Sequence, residues 1–374
     1  MIMYWQYLDE YSRHREELLA ITDRVFSSGR LILGNEVTAF EKSFSTYCGV
    51  SYGVGVNSGT DALFLALKAL GVEDGDEVIT VSNTAVPTVA AIRAAGARPV
   101  FVDVERDTFL MDVTQIPAVL NRRTRCLIPV HLLGQPVDMI PLRDIAEQKH
   151  LFIIEDCAQA AGADYRGSKV GSLGTIGAFS FYPTKILGAF GDGGLIMTGR
   201  EDLYDKLKRL RFYGMEKAYY SEEEGYNSRL DEIQAAILKY RLGQLDESVS
   251  RRRAVADRYS EGLQGLGDIE VPVVKNDRSH QFYAYTIKTA FRDKLMQFLR
   301  ENGVETRINY PVPVHLMRGY RSLGYPPGSL PVTERLSSEI LSLPMYPGLS
   351  SEDVETVISL IKNFFCSPFG RASR

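Results

Sequence analysis

Between about residues 50 and 200 the chain alternates short β-branched apolar runs with helical stretches, and this alternation limits its fold more than any other feature. YGVGV leads into the apolar-periodic DALFLALKAL, which ends at Gly71. EVITVS, a helix near VPTVAAIRAAG, RPVFVDV, a helix around VTQIPAVL, RCLIPVHL, a helix in PLRDIAEQKH and the run LFIIEDC then follow in order. Strands separated by helices in this way predict a mainly parallel sheet sandwiched by helices. The strands read as continuous apolar runs, as they must where both sheet faces are covered.

The texture changes after residue 200. DLYDKLKRLRFYG is helical, MEKAYYSEEEGYNSR is a polar loop, and one long helix is expected over LDEIQAAILKYRLGQLDESVSRRRAVADRYSEGL. Beyond about 265 the pattern is strand-like in HQFYAYTIK, helical in RDKLMQFLREN, Pro-rich in NYPVPVHL and helical again at the end. A length of 374 residues suits two domains, and the boundary is expected near 245, giving a large domain over 1–245 and a smaller one over 246–374. The formal net charge of -4 argues against a grip on nucleic acid, which needs a basic surface. The opening MIMYWQYLDEYSRHREE has no apolar core of export-signal type, and no stretch approaches 18 uninterrupted apolar residues. The expectation is a cytoplasmic protein with no membrane partner. Cys48, Cys126, Cys157 and Cys366 are scattered without a C-x-x-C pair, and the five histidines do not cluster, which argues against a disulfide framework and against a metal site.

Three segments carry chemistry. In YGVGVNSGTDAL a strand runs into NSGT, which opens a helix; free N–H groups at such a tip, with the helix dipole behind them, can seat a phosphate. Gly59 would let the backbone approach closely and Thr60 would add a hydroxyl, although Ser58 or Thr60 could equally be an ordinary helix cap. The glycines are spaced wrongly for the dinucleotide fingerprint G-x-G-x-x-G. In LFIIEDCAQAAGA an apolar strand ends at Glu155-Asp156, and ligands of open parallel sheets sit beyond the carboxyl ends of strands. A carboxylate there can pair with a cationic ring nitrogen, or simply cap a strand end. In GAFSFYPTKILGAFGDGG a lysine, Lys185, follows an aromatic strand and precedes a flexible Gly-rich stretch that permits tight turns. A catalytic amine needs desolvation or a cationic neighbour to be deprotonated near neutrality, and an aromatic wall supplies desolvation.

Taken in order, NSGTDAL, EDCAQA, SFYPTK-x-LGAFGDGG and YNSRLDEIQAA, with RRR-x-x-A-x-x-Y and YPVPVHL, resemble the DegT/DnrJ/EryC1/StrS group of pyridoxal 5′-phosphate (PLP) sugar aminotransferases over nearly the whole chain. The resemblance implies an α/β fold of the aspartate aminotransferase-like type (PLP fold type I), with a mainly parallel seven-stranded sheet in the large domain and a smaller C-terminal α+β domain. It implies that Lys185 carries PLP and shuttles the proton, that Asp156 pairs with the pyridine nitrogen, and that Gln159 packs on the ring. Gly59, Thr60 and Ser180 would hold the phosphate, joined by Asn227 from the other subunit of a homodimer with shared active sites. Tyr182, Tyr213, Arg229, Tyr310 and His315 are the implied substrate contacts. Two positions depart from the pattern: Ala85 stands where an aromatic often stacks on the cofactor, and Leu133 where a tyrosine is frequent.

The implied reaction transfers nitrogen from L-glutamate to a nucleotide-linked keto sugar. TAVPTVAAI and YPVPVHL look closest to enzymes acting at carbon 3 of a dTDP-3-keto-6-deoxyhexose; the alternative is carbon 4 of a UDP- or GDP-4-keto-6-deoxy sugar. A nicotinamide-dependent oxidoreductase is opposed by the missing fingerprint, and a DNA-binding regulator by the acidic balance.

Overall fold

The computed structural model describes residues 1–217 and 219–366. In chain order the strands are β1 (Tyr52–Val56), β2 (Glu77–Val81), β3 (Arg98–Val102), β4 (Thr124–Leu127), β5 (Phe152–Asp156), the short β6 (Asp164–Tyr165) and β7 (Ser168–Lys169), β8 (Ile176–Ser180) and β9 (Gly194–Thr198). Seven of them form one sheet in the order β1-β9-β8-β5-β4-β2-β3. Only β9 pairs antiparallel with its neighbours, so the other six run in one direction. The carboxyl ends of β1, β2, β4, β5 and β8 therefore share one edge with the start of β9, and that edge holds the site.

Both faces are covered, as the unbroken apolar strands require. Val54, Val56, Val78, Cys126, Ile154, Ala178 and Ile196 pack in one buried cluster with the helices Gly59–Ala69, Val86–Ala94 and Glu201–Leu210. The alternate positions face the other way: Ile79, Val81, Leu127 and Ile153 meet the helix Met139–Lys149, while Phe179, Phe181, Leu195 and Met197 meet the helices Asn35–Cys48 and Glu232–Leu242. At about 25 cal/mol per Å² of apolar surface, each fully buried Leu, Ile, Val or Phe contributes about 1.5–3 kcal/mol.

The long helix expected from residue 230 is two helices, Glu232–Leu242 and Leu245–Leu263, broken at Gly243-Gln244. The expected helix around VTQIPAVL shrinks to a 3₁₀ turn, Val113–Gln115, and one α-helical turn, Ile116–Val119. Leu245–Leu263 packs with the antiparallel pair formed by Tyr285–Lys288 and Ile340–Leu343 and with the helices Arg292–Glu301 and Ser351–Cys366 around a separate core. Ile2 and Trp5 pack on that core too, so the first residues of the chain sit with its last third. No helix among the described residues is long and apolar enough to cross a membrane.

Candidate active site

Consecutive strand residues point to opposite faces, and the two carboxylates that end β5 are thereby given different surroundings. Glu155 turns toward the 171–174 loop. Its Oε1 accepts the N–H groups of Leu173 and Gly174, both at 2.7 Å, and its Oε2 accepts those of Gly171 at 2.9 Å and of His131 Nε2 at 3.0 Å. His131 Nδ1 accepts the Val137 N–H at 3.1 Å, so the ring donates through Nε2. Glu155 is filled by the protein.

Asp156 is not. Its Oδ2 accepts from the Thr88 hydroxyl at 2.8 Å and its Oδ1 from the Ala158 N–H at 3.2 Å, and among the described residues no cation is bonded to it. Burial pushes this carboxyl above the usual range, against the pull of the Thr88 and Ala158 hydrogen bonds and of the Lys185 charge. A buried anion short of a counter-charge fits a cationic ring nitrogen. Sequence alone does not single out Thr88; it lies 68 residues from Asp156, and the third residue of VPT gives no local sign of that contact.

Lys185 lies in the turn after β8, its N–H donating to the Tyr182 carbonyl at 2.8 Å. Its Nζ is 4.8 Å from the centroid of the Tyr283 ring, the aromatic wall that the site needed and that HQFYAYTIK did not advertise. The glycines after it work differently from the expectation. Gly188, Gly191, Gly193 and Gly194 have no positive φ; at Gly188 and Gly194 the neighbouring backbone leaves no room for a Cβ, while Gly191 and Gly193 lie against the Gln234 and Leu230 side chains. A Cβ on Gly188 would stand 2.4 Å from the Pro183 carbonyl oxygen, and one on Gly194 2.3 Å from that of Ser58. The loop is a packed wedge, because β9 must enter the sheet directly beside the NSGT tip.

That tip is the start of the helix Gly59–Ala69. The Ser58 hydroxyl and carbonyl take the N–H groups of Asp61 at 3.1 Å and Ala62 at 3.0 Å, which leaves those of Gly59 and Thr60 for an anion. Ser180, at the end of β8, adjoins them so closely that a Cβ on Gly59 would lie 2.5 Å from the Ser180 Cβ. Gln159 is held at both ends: its Oε1 accepts the Leu133 N–H at 2.7 Å and its Nε2 donates to the Tyr310 hydroxyl at 2.8 Å. Leu133, with φ 58°, is in the left-handed region, and the segment offers its backbone N–H to Gln159 rather than a side chain. Ala85 precedes the helix Val86–Ala94 and carries no ring to cover the cofactor.

The structure thus gathers Asp156, Gln159, Tyr310 and Lys185, and places Gly59 and Thr60 against Ser180. Tyr182 is exposed beside Lys185. Tyr213, Asn227 and Arg229 form a group of their own: Arg229 Cζ lies 5.5 Å from the Phe212 ring and 5.6 Å from the Tyr213 ring, and exposed Asn227 bridges Phe212 through its backbone. His315 is elsewhere. It is buried with Nδ1 2.7 Å from the Ser82 hydroxyl and Nε2 3.2 Å from Glu334, so both nitrogens are engaged in tying residues 314–334 to the end of β2.

PLP fits these residues: the Gly59–Thr60–Ser180 cradle would take its phosphate, Asp156 its ring nitrogen and Lys185 its aldehyde carbon. When bound, it supplies an electron sink that stabilises negative charge at the carbon beside the transferred nitrogen. A family model described as the DegT/DnrJ/EryC1/StrS aminotransferase family matches residues 12–362. The chain is 49% identical over 363 residues to the dTDP-3-amino-3,4,6-trideoxy-alpha-D-glucose transaminase of Micromonospora megalomicea subsp. nigra, covering 96% of this chain and 97% of that one. It superposes on the crystal structure of S. venezuelae DesV with a TM-score of 0.95 at 43% identity, covering 97% of this chain and 98% of that one. NtdA of Bacillus subtilis, solved with bound cofactor PMP, matches with a TM-score of 0.90 at 32% identity, covering 95% of this chain and 82% of that one. A sheet edge arranged to hold PLP and a match along nearly the whole length place this chain in the DegT/DnrJ/EryC1/StrS family of PLP-dependent aminotransferases.

Proposed function

We propose that this aminotransferase moves an amino group from L-glutamate to carbon 3 of a dTDP-linked 3-keto-6-deoxyhexose, as a homodimer whose active sites draw residues from both subunits. Amino transfer is supported above all by one observation: Asp156, a buried carboxylate with no cation bonded to it among the described residues, lies within electrostatic reach of the lysine of the Gly-rich loop, Lys185. Lys185 Nζ would hold the cofactor, and its amine is the group placed to take and return a proton at the reacting carbon. Asp156 keeps the ring nitrogen charged, Gln159 fixes the ring's orientation, and Gly59, Thr60 and Ser180 anchor the phosphate. Exposed Asn227 reaches the phosphate of a second copy, with Arg229 and Tyr213 beside it facing the nucleotide diphosphate and sugar; Tyr182 and Tyr310 border the sugar from the near side. His315 has no free nitrogen to offer a substrate and serves as a tether.

The choice of carbon 3 and of dTDP rests on the Micromonospora relative's name and its identity over the full length. The PLP-loaded protein should aminate a dTDP-3-keto-6-deoxyhexose with glutamate as donor, and do so at least tenfold faster than UDP- or GDP-linked 4-keto-6-deoxy sugars. Faster turnover of the 4-keto sugars would replace carbon 3 by carbon 4.

A further inference from the structure

The loop between β2 and the helix Val86–Ala94 is pinned at two points. At its start the Ser82 hydroxyl meets His315, whose backbone N–H also donates to Ser82 Oγ at 3.0 Å. At its far end lie two buried hydroxyls, Thr84 Oγ1 and Thr88 Oγ1, 2.8 Å apart, and Thr88 Oγ1 is 2.8 Å from Asp156 Oδ2. The direction of these bonds follows from chemistry. An ionised carboxylate only accepts, so Thr88 must donate to Asp156. Its single proton is then used, and Thr84 must donate to Thr88. The three groups form a one-way relay that ends on the carboxylate.

We propose that Thr88, backed by Thr84, is a positioning pair for Asp156, holding its carboxylate ionised and aimed at the cofactor's ring nitrogen. The proposal rests on the reading of Asp156 as the partner of that nitrogen. Both threonines and Asp156 are buried, so water does not substitute for a lost hydroxyl. Each oxygen of Asp156 has one protein donor, Thr88 on Oδ2 and the Ala158 N–H on Oδ1, and taking away Thr88 leaves Oδ2 with none among the described residues. The ionisable groups that face Asp156 are Lys185, whose positive charge favours its ionised form, His131, a neutral ring with Nδ1 accepting and Nε2 donating, and Tyr310 and Cys157, whose own ionisation its negative charge opposes. The relay also explains how this loop serves the cofactor with Ala85 in place of an aromatic: it contributes through the edge of the ring nitrogen's partner.

The test is PLP affinity of the apo-protein, titrated by visible absorbance from pH 5 to 9, with melting temperature as the check of folding. Thr88→Val removes the hydroxyl and keeps the branched shape. Losing a hydrogen bond to a charged acceptor should weaken PLP binding roughly tenfold to a hundredfold, and the acid limb of binding should move to higher pH as Asp156 protonates more readily. Thr88→Ser should bind within about threefold of wild type. Thr88→Val binding PLP like wild type with an unmoved acid limb overturns the proposal, as does Thr88→Ser failing as badly as Thr88→Val, which would make the effect packing. Asp156→Asn separates the underlying reading: wild-type affinity in that variant removes Asp156 from the ring nitrogen, whereas a weak Asp156→Asn beside a normal Thr88→Val removes only the relay. Should Thr88→Val fail to fold, Thr84→Val tests the same relay one hydroxyl further back. It must weaken binding at least about threefold, and no change there overturns the proposal.

Discussion

Substituting Glu155 by glutamine puts an amide NH₂ where one carboxylate oxygen stood, and the geometry allows no good placement for it. Oε1 faces the N–H groups of Leu173 and Gly174; Oε2 faces those of Gly171 and His131. Either orientation of the glutamine sets a donor against two donors. His131 cannot relieve this by changing tautomer, because its Nδ1 already accepts the Val137 N–H. Two hydrogen bonds to a charged acceptor are lost at about 1.5–3 kcal/mol each, so Glu155→Gln should destabilise the fold by roughly 3–6 kcal/mol. Against the roughly 5–15 kcal/mol that hold a native protein together, that is a large share. Guanidinium unfolding of the PLP-loaded protein at fixed concentration measures it. Asp156→Asn, one residue away, should fold within about 1 kcal/mol of wild type and lose its activity, since its carboxylate makes only two protein hydrogen bonds. A Glu155→Gln midpoint within about 1 kcal/mol of wild type would refute the division of labour between the two carboxylates.

Three further outcomes are expected. Gly59→Ala places a Cβ 2.5 Å from the Ser180 Cβ, so the phosphate cradle must open; PLP affinity of the apo-protein should fall at least tenfold, and unchanged affinity would move the phosphate elsewhere. His280 is buried with its Nδ1 accepting the Phe282 N–H, and burial depresses its pKa from 6.5 to about 3. The unfolded chain therefore binds a proton that the folded one refuses, so stability falls as pH drops from 6.5 toward 3, by about 2 kcal/mol at pH 5; His280→Gln should remove that component of a pH-dependent melting profile. Mixing inactive Lys185→Ala with an inactive Asn227→Ala, Arg229→Ala double variant should restore partial activity if sites are shared, and mixed dimers without activity would confine the site to one chain.

Much of this arrangement is legible in sequence because it is local. Unbroken apolar runs give the two-faced sheet, and a glycine at a strand-to-helix turn gives the phosphate tip. What is hidden depends on distant residues meeting. Period two says that Glu155 and Asp156 point opposite ways, but only the strand order shows that one meets the 171–174 loop and the other Thr88. The glycines of GAFGDGG look like turn formers, and crowding against Ser58 and Pro183 is visible only once β9 lies between β1 and β8. His315 sits in a motif suggestive of substrate contact, and its engagement by Ser82 and Glu334 depends on residues 233 and 19 positions away. The break at Gly243-Gln244 has no proline to announce it.

The most direct test of the central claim is to reduce the PLP-loaded protein with borohydride, digest it and locate the pyridoxyl-modified lysine by mass spectrometry. Lys185, with its Nζ over the Tyr283 ring and within electrostatic reach of Asp156, is predicted to be the one modified residue, with no stable labelling in Lys185→Ala. Stoichiometric modification of any other lysine would contradict it.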